Sequence, residues 1–137
     1  MARPVSQGFT LIELMVAAVV VALLASLAYP SWKTHVRRTH RASAIACLQE
    51  LSLLMERRYS TGLAYDASTS LPTASCVNAV ADRYDLAFGS GQPTASSFTL
   101  TATPRGTQSD PECGTLSLDH QGTAAISGSG NVQSCWR

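Results

Sequence analysis

The chain has 137 residues, enough for one compact domain and little besides. Ten Lys and Arg against nine Asp and Glu leave a net charge of +1, which argues against a dedicated polyanion-binding protein and against an acidic disordered tail. Charged residues make up only 14%, against roughly 25% in ordinary soluble domains, and the deficit is local: from Phe9 to Tyr29 the single charge is Glu13.

Residues 1–8, MARPVSQG, are polar with one basic residue, Arg3. The run that follows, FTLIELMVAAVVVALLASLAY, would be about 31 Å long as a helix, close to the hydrocarbon thickness of a bilayer. Pro30, directly after it, removes a backbone donor and bends a continuing helix without having to end it. Three readings compete for this segment. It could be a secretory signal, with Arg3 as its basic region, Leu14 to Leu24 as its apolar region and Ser26-Leu27-Ala28 as a small-x-small cleavage site. It could be a plain membrane anchor. Or residues 1–8 could be a leader cut on the cytoplasmic side between Gly8 and Phe9, with the apolar run retained.

Glu13 separates the three. A carboxylate inside an apolar run is costly in lipid and is by default a functional group with a partner. Neither a plain anchor nor a discarded signal has a use for it. With Phe9 as the new N-terminus, Glu13 becomes the fifth residue and can pair with the α-amine of a neighbouring copy. Gly8-Phe9-Thr10-Leu11-Ile12-Glu13-Leu14 resembles the type IV prepilin motif, with Gly before the cut, Phe after it and Glu at the fifth mature position. Pro30 stands at mature position 22, where many pilins carry proline. The resemblance implies cleavage by a prepilin peptidase, N-methylation of Phe9, and roles for Glu13 and Pro30 in subunit assembly. Positive charge alone argues the other way, with Arg3 before the span against Lys33, Arg37, Arg38 and Arg41 after it. The motif and the cysteines described below outweigh that count.

From residue 31 to 59 the sequence reads as a continuing amphipathic helix. Ile45, Leu48, Leu51, Met55 and Tyr59 recur at three- and four-residue steps and form a stripe for a sheet to cover. Arg37, Arg38, Arg41, Glu50, Arg57 and Arg58 are expected on other faces. Residues 60–82, rich in Ser, Thr, Ala and Gly, read as a long connecting loop that Cys76 can pin down. Short strands follow at Tyr84, Leu86 and Phe88, then Phe98, Leu100 and Ala102, then Leu116 and Leu118, and more weakly Ala124 and Ile126. Close spacing, with a last turn at Gln121-Gly122, predicts an antiparallel meander packed on the helix stripe. The Gly89-Ser90-Gly91 and Gly128-Ser129-Gly130 stretches lack the flanking strand and helix of a dinucleotide fingerprint.

Four cysteines, Cys47, Cys76, Cys113 and Cys135, include no C-x-x-C pair, so a zinc or thioredoxin-type site is disfavoured. An even count beyond an apolar span points to disulfides in an oxidising compartment. Three connectivities are open. Nearest-neighbour pairing makes the most structural sense, because Cys47–Cys76 ties the loop to the helix and Cys113–Cys135 staples the last hairpin. A loop of about 22 residues closed in this way contributes roughly 3–4 kcal/mol in the chain-entropy model.

The run Cys113-Gly114-Thr115-Leu116-Ser117-Leu118-Asp119, Gly122 and Cys135-Trp136 are similar to the tail of minor pilins of the PilE type, and Leu48 to Tyr59 and Leu100 to Pro104 fit the same group. The resemblance implies an α+β type IV pilin fold. In that fold a long N-terminal α-helix, with a transmembrane half and an amphipathic half, packs on a small antiparallel β-sheet. It divides the chain into a leader at 1–8, a transmembrane and assembly half at 9–30, and a periplasmic head at 31–137. It implies a structural minor pilin, held in the inner membrane among lipid and then built into a surface pilus. The partners it implies are other major and minor pilins, the prepilin peptidase and the inner-membrane assembly machinery. No cofactor is implied.

Other chemistry finds little in the sequence. His35, His40 and His120 sit in no nucleophile motif, and no catalytic residue is assigned. Asp110, Glu112 and Asp119 lack the spacing of an EF-hand-like calcium loop and read as solvated loop residues, so no metal ligand is assigned either. DNA reception, as in the sister ComP-like pilins, meets an unfavourable charge distribution. Residues 31–41 carry four basic side chains and no acid, but residues 42–137 carry five basic against eight acidic, a net −3. The basic cluster is read as meeting lipid headgroups or neighbouring subunits. A type II secretion pseudopilin remains a further alternative, disfavoured by the tail.

Overall fold

A computed structural model describes residues 8–137; Met1–Gln7, which hold Arg3 and most of the expected leader, lie outside the described residues. The chain forms two compact units that meet in sequence at Val36 and Arg37. The order of elements is α1 (Leu11–Gly62), α2 (Ser75–Val80), β1 (Tyr84–Phe88), β2 (Thr99–Pro104), β3 (Leu116–Asp119), β4 (Ala124–Ile126) and α3 (Val132–Cys135).

Helix α1 is 52 residues long and continues through Pro30. Proline has no N–H for the carbonyl four residues before it, here that of Ser26, so the helix carries one local gap in its hydrogen bonding. In the first unit every described residue from Gly8 to His35 is exposed, including all of the large apolar side chains.

In the second unit the sheet order is β1-β2-β3-β4, antiparallel throughout, as the short turn-bounded strands predict. Side chains alternate across a strand, so Phe98, Leu100 and Ala102 fall on one face together with Tyr84, Leu116 and Leu118. All are buried in one cluster with Ala44, Ile45, Leu48, Leu51 and Met55 of α1. The turn from β3 to β4 is set by Asp119, whose Oδ1 accepts from the N–H groups of Gln121 at 2.9 Å and Thr123 at 2.8 Å. Gly122 there takes the left-handed φ of 76°.

The stretch 60–82 holds more order than its composition suggests. It contains α2, and Tyr65 is buried, stacked on Tyr59 with ring centroids 4.6 Å apart and edge-on to Phe98 at 4.9 Å. Tyr65 donates its phenolic proton to Glu56 Oε1 at 2.9 Å. Burial, reinforced by that carboxylate, pushes the phenol pKa up to about 12, so the donor stays protonated at ordinary pH. A disulfide joins Cys47 of α1 to Cys76 of α2, and a second joins Cys113 to Cys135 of α3.

The segment after β2 is attached to α1 by polar groups that sequence patterning assigns elsewhere. Arg41 is expected off the apolar stripe, but it is buried and its Nε lies 3.1 Å from Asp110 Oδ2. Position 41 lies four residues before Ile45 and seven before Leu48, which is the apolar face itself. Asp110, expected as a solvated loop residue, is buried with it. Arg41 Nη1 also donates to Cys113 Sγ, while Asp110 Oδ1 accepts from the Cys113 N–H at 3.4 Å. Beside this pair, Gln108 Nε2 donates to the Arg37 carbonyl at 3.2 Å and to the Tyr84 hydroxyl at 3.1 Å.

Glycines complete the attachment. A Cβ at Gly128 would lie 2.3 Å from the Glu112 carbonyl oxygen, and one at Gly130 would lie 2.7 Å from it. The Gly128-Ser129-Gly130 stretch is thus a packing device, which lets the chain after β4 lie on the Glu112–Cys113 backbone.

Arg41 Nε and Asp110 Oδ2 make no other hydrogen bond, so removing either one strands the other in the core. Asp110→Ala or Arg41→Met alone should cost about 3–5 kcal/mol, and the double variant much less than the sum of the two. Thermal melts of the full chain and the three variants in detergent complete the cycle. Additive losses below ~1 kcal/mol each would show that the pair does not hold this region.

Candidate functional site

The expected assembly residues lie in the first unit. Gly8 and Phe9 precede α1, and Phe9 is 78% exposed. Thr10 stands at the helix N-cap, its Oγ1 accepting from the Glu13 N–H at 3.3 Å and its carbonyl from the Leu14 N–H at 3.2 Å. Thr10-x-x-Glu13 is therefore the sequence of a capping box, with the Thr half formed. Glu13 occupies the first turn, where the positive end of the helix dipole favours an anion. Its carboxylate makes no hydrogen bond or ion pair among the described residues. The motif reading gave Glu13 a role towards another copy and passed over this local one, which the Thr-x-x-Glu spacing could have shown.

Beyond Glu13 the helix surface is apolar. Ile12, Met15, Val16, Val19 and Val20 line an open, wholly apolar hollow, and Leu23, Leu24 and Leu27 are each more than 60% exposed. The first part of α1 is long and apolar enough to cross a membrane. A continuous apolar surface of this kind requires cover, from lipid or from other helices. Pro30 lies inside α1, and Thr34 Oγ1 donates to its carbonyl at 3.1 Å.

In the second unit the basic cluster is divided by use. Arg41 is held internally by Asp110, whereas Arg38 is exposed. Arg38, Arg41 and Arg137 line a cleft with Glu112 and Ser134, so positive charge there is partly offset. Asp110 faces a guanidinium and is committed to that ion pair. No group of three or more His, Cys, Asp or Glu side chains able to hold a metal is found among the described residues. His120 packs near Phe98 and Tyr65, with ring centroids 6.3 and 6.5 Å away.

A family model described as "Prokaryotic N-terminal methylation motif" matches residues 3–29, and one described as "Type IV minor pilin ComP, DNA uptake sequence receptor" matches residues 30–117. The tail had suggested the PilE type, with ComP-like pilins as a sister group; the matching model carries the ComP description. The chain is 28% identical over 102 residues to the type IV major fimbrial protein FimA of Dichelobacter nodosus, a stretch covering 73% of this chain and 62% of that protein. It thus spans less than two thirds of that relative's length.

Among solved structures, a type IV pilin from Shewanella oneidensis is 32% identical, with a TM-score of 0.52 over 70% of this chain and 96% of that one. The non-core minor pilin PilV of Neisseria meningitidis, 23% identical, shares the fold with a TM-score of 0.54 over 71% of this chain and 92% of that one. The capped apolar helix with Glu13 in its first turn, the helix-on-sheet head and these matches agree: the chain belongs to the type IV minor pilin family.

Proposed function

We propose that this minor pilin is a structural subunit that enters the inner membrane through residues 9–30, with its head, residues 31–137, in the periplasm, and is then extracted into a surface pilus. The observation that carries this reading is a fully exposed apolar helix with one carboxylate, Glu13, in its first turn, directly after Gly8-Phe9. A prepilin peptidase removes residues 1–8 and frees the Phe9 amine. Methylation of that amine keeps its positive charge. Glu13 of one subunit then neutralises the Phe9 amine of the next, which sets the axial register. The apolar helices bury one another in a head-to-tail packing that does not close, and such packing yields a filament. Major and minor pilins and the inner-membrane assembly machinery are the partners in this scheme, and pilus priming, surface attachment and twitching are the functions it serves.

A second reading has one observation in its favour, the DNA-receptor description of the family that matches residues 30–117. The net −3 of residues 42–137 opposes it, since affinity for DNA rests largely on neutralising phosphates.

Three measurements test these readings. The N-terminal peptide of protein extracted from membranes should start at Phe9 and carry one added methyl group; a start at Tyr29 would remove the filament mechanism. Glu13→Ala protein should reach normal levels in membranes but fall roughly tenfold or more in sheared pili, the factor carried by a lost interaction of ~1.4 kcal/mol. Wild-type abundance there would sink the role given to Glu13. Duplex DNA should bind the full chain in detergent only weakly and without sequence preference. Tight, sequence-selective binding that falls steeply with salt would put DNA reception first.

A further inference from the structure

At the end of the apolar run, α1 changes character within one turn. Tyr29 and Trp32 are 62% and 66% exposed, and Lys33 Nζ lies 4.6 Å from the centroid of the Tyr29 ring. The three residues stand at i, i+3 and i+4, so they share one face of the helix. On their N-terminal side come exposed leucines, Leu24 and Leu27; on their C-terminal side the sequence turns basic, with Arg37 and Arg38. Indole and phenol rings, apolar in body and polar at one end, settle at the boundary between acyl chains and headgroups. A lysine at the same level can lay its stem along the apolar surface and hold its ammonium among phosphates. The order apolar, aromatic, cationic along one helix face matches the order of layers crossed on leaving a bilayer.

Length gives a second, independent measure. Glu13 and Trp32 are 19 residues apart, or about 28 Å along a helix, against ~30 Å of hydrocarbon. We infer that Tyr29, Trp32 and Lys33 form a collar that binds the phospholipid interface and sets the depth of the helix, so that Glu13 waits at the headgroup level of the opposite leaflet. The carboxylate then avoids the hydrocarbon until another subunit's amine meets it. This inference rests on reading residues 9–30 as a membrane span.

The test uses the full chain with Trp136→Phe, reconstituted at low protein density in vesicles of phosphatidylethanolamine and phosphatidylglycerol. Lipids brominated near the headgroup should quench Trp32 more than lipids brominated near the chain ends. A second chain, with Trp32→Phe, Trp136→Phe and Phe9→Trp, should show the same preference from the other end of the span. Tyr29→Leu with Lys33→Leu, added to the first chain, should move Trp32 towards deeper quenching. Deep quenching at either end of the parent chains, or an unchanged Trp32 depth in that variant, overturns the collar while the span stands. A Trp32 that no brominated lipid quenches, although the chain floats with the vesicles, overturns it too, because neighbouring copies would then cover the ring. A chain that fails to float with the vesicles removes the membrane reading itself, and the collar with it.

Discussion

A guanidinium in an apolar core has to be answered, and in this head Asp110 answers Arg41. The pair joins the long helix to the segment between β2 and β3, which has no regular structure of its own to fix its place. Around it the same segment contributes Gln108 to the Arg37 carbonyl and the Tyr84 hydroxyl, and the Cys113 N–H to Asp110. The second disulfide then carries the attachment on to α3. Helix, sheet and C-terminal segment are therefore tied at one polar node, and apolar burial fills in on either side of it.

Much of this could be read from residue order. The strands followed from alternation at Phe98, Leu100 and Ala102 and at Leu116 and Leu118, because a sheet with one buried face imposes a period of two. The stripe from Ile45 to Met55 was equally plain, and the prepilin-like motif singled out Glu13 from residue types and offsets alone. Periodicity could not show Arg41, since a charged residue on an apolar face looks like an interruption until its partner is known. That partner is 69 residues away in sequence. The helix inside the 60–82 stretch was hidden for a different reason: α2 is only six residues long, and the Cys47–Cys76 bond and packing against the core support it where intrinsic propensity would not.

The two ends of the apolar run also show how one residue type serves different ends. Thr10 caps α1 through its hydroxyl, while Thr34 turns the same group back to the Pro30 carbonyl. The first organises backbone donors at a helix start. The second adds a donor to the carbonyl of the proline itself, one turn beyond the Ser26 carbonyl that lacks the proline's N–H. Both leave the apolar side chains between them exposed.

Gly128 and Gly130 have a consequence for how such a subunit can diversify. Their missing side chains are what allow the chain after β4 to rest on the Glu112–Cys113 backbone, so this patch tolerates almost no inherited change in shape. A subunit that had to acquire a new recognition surface would have to vary elsewhere, on exposed stretches such as 66–67 and 94–96. The molecule is thus divided into a region that selection must copy faithfully and a region on which it can experiment, and the boundary between them is drawn by two hydrogen atoms standing where a methyl group would collide.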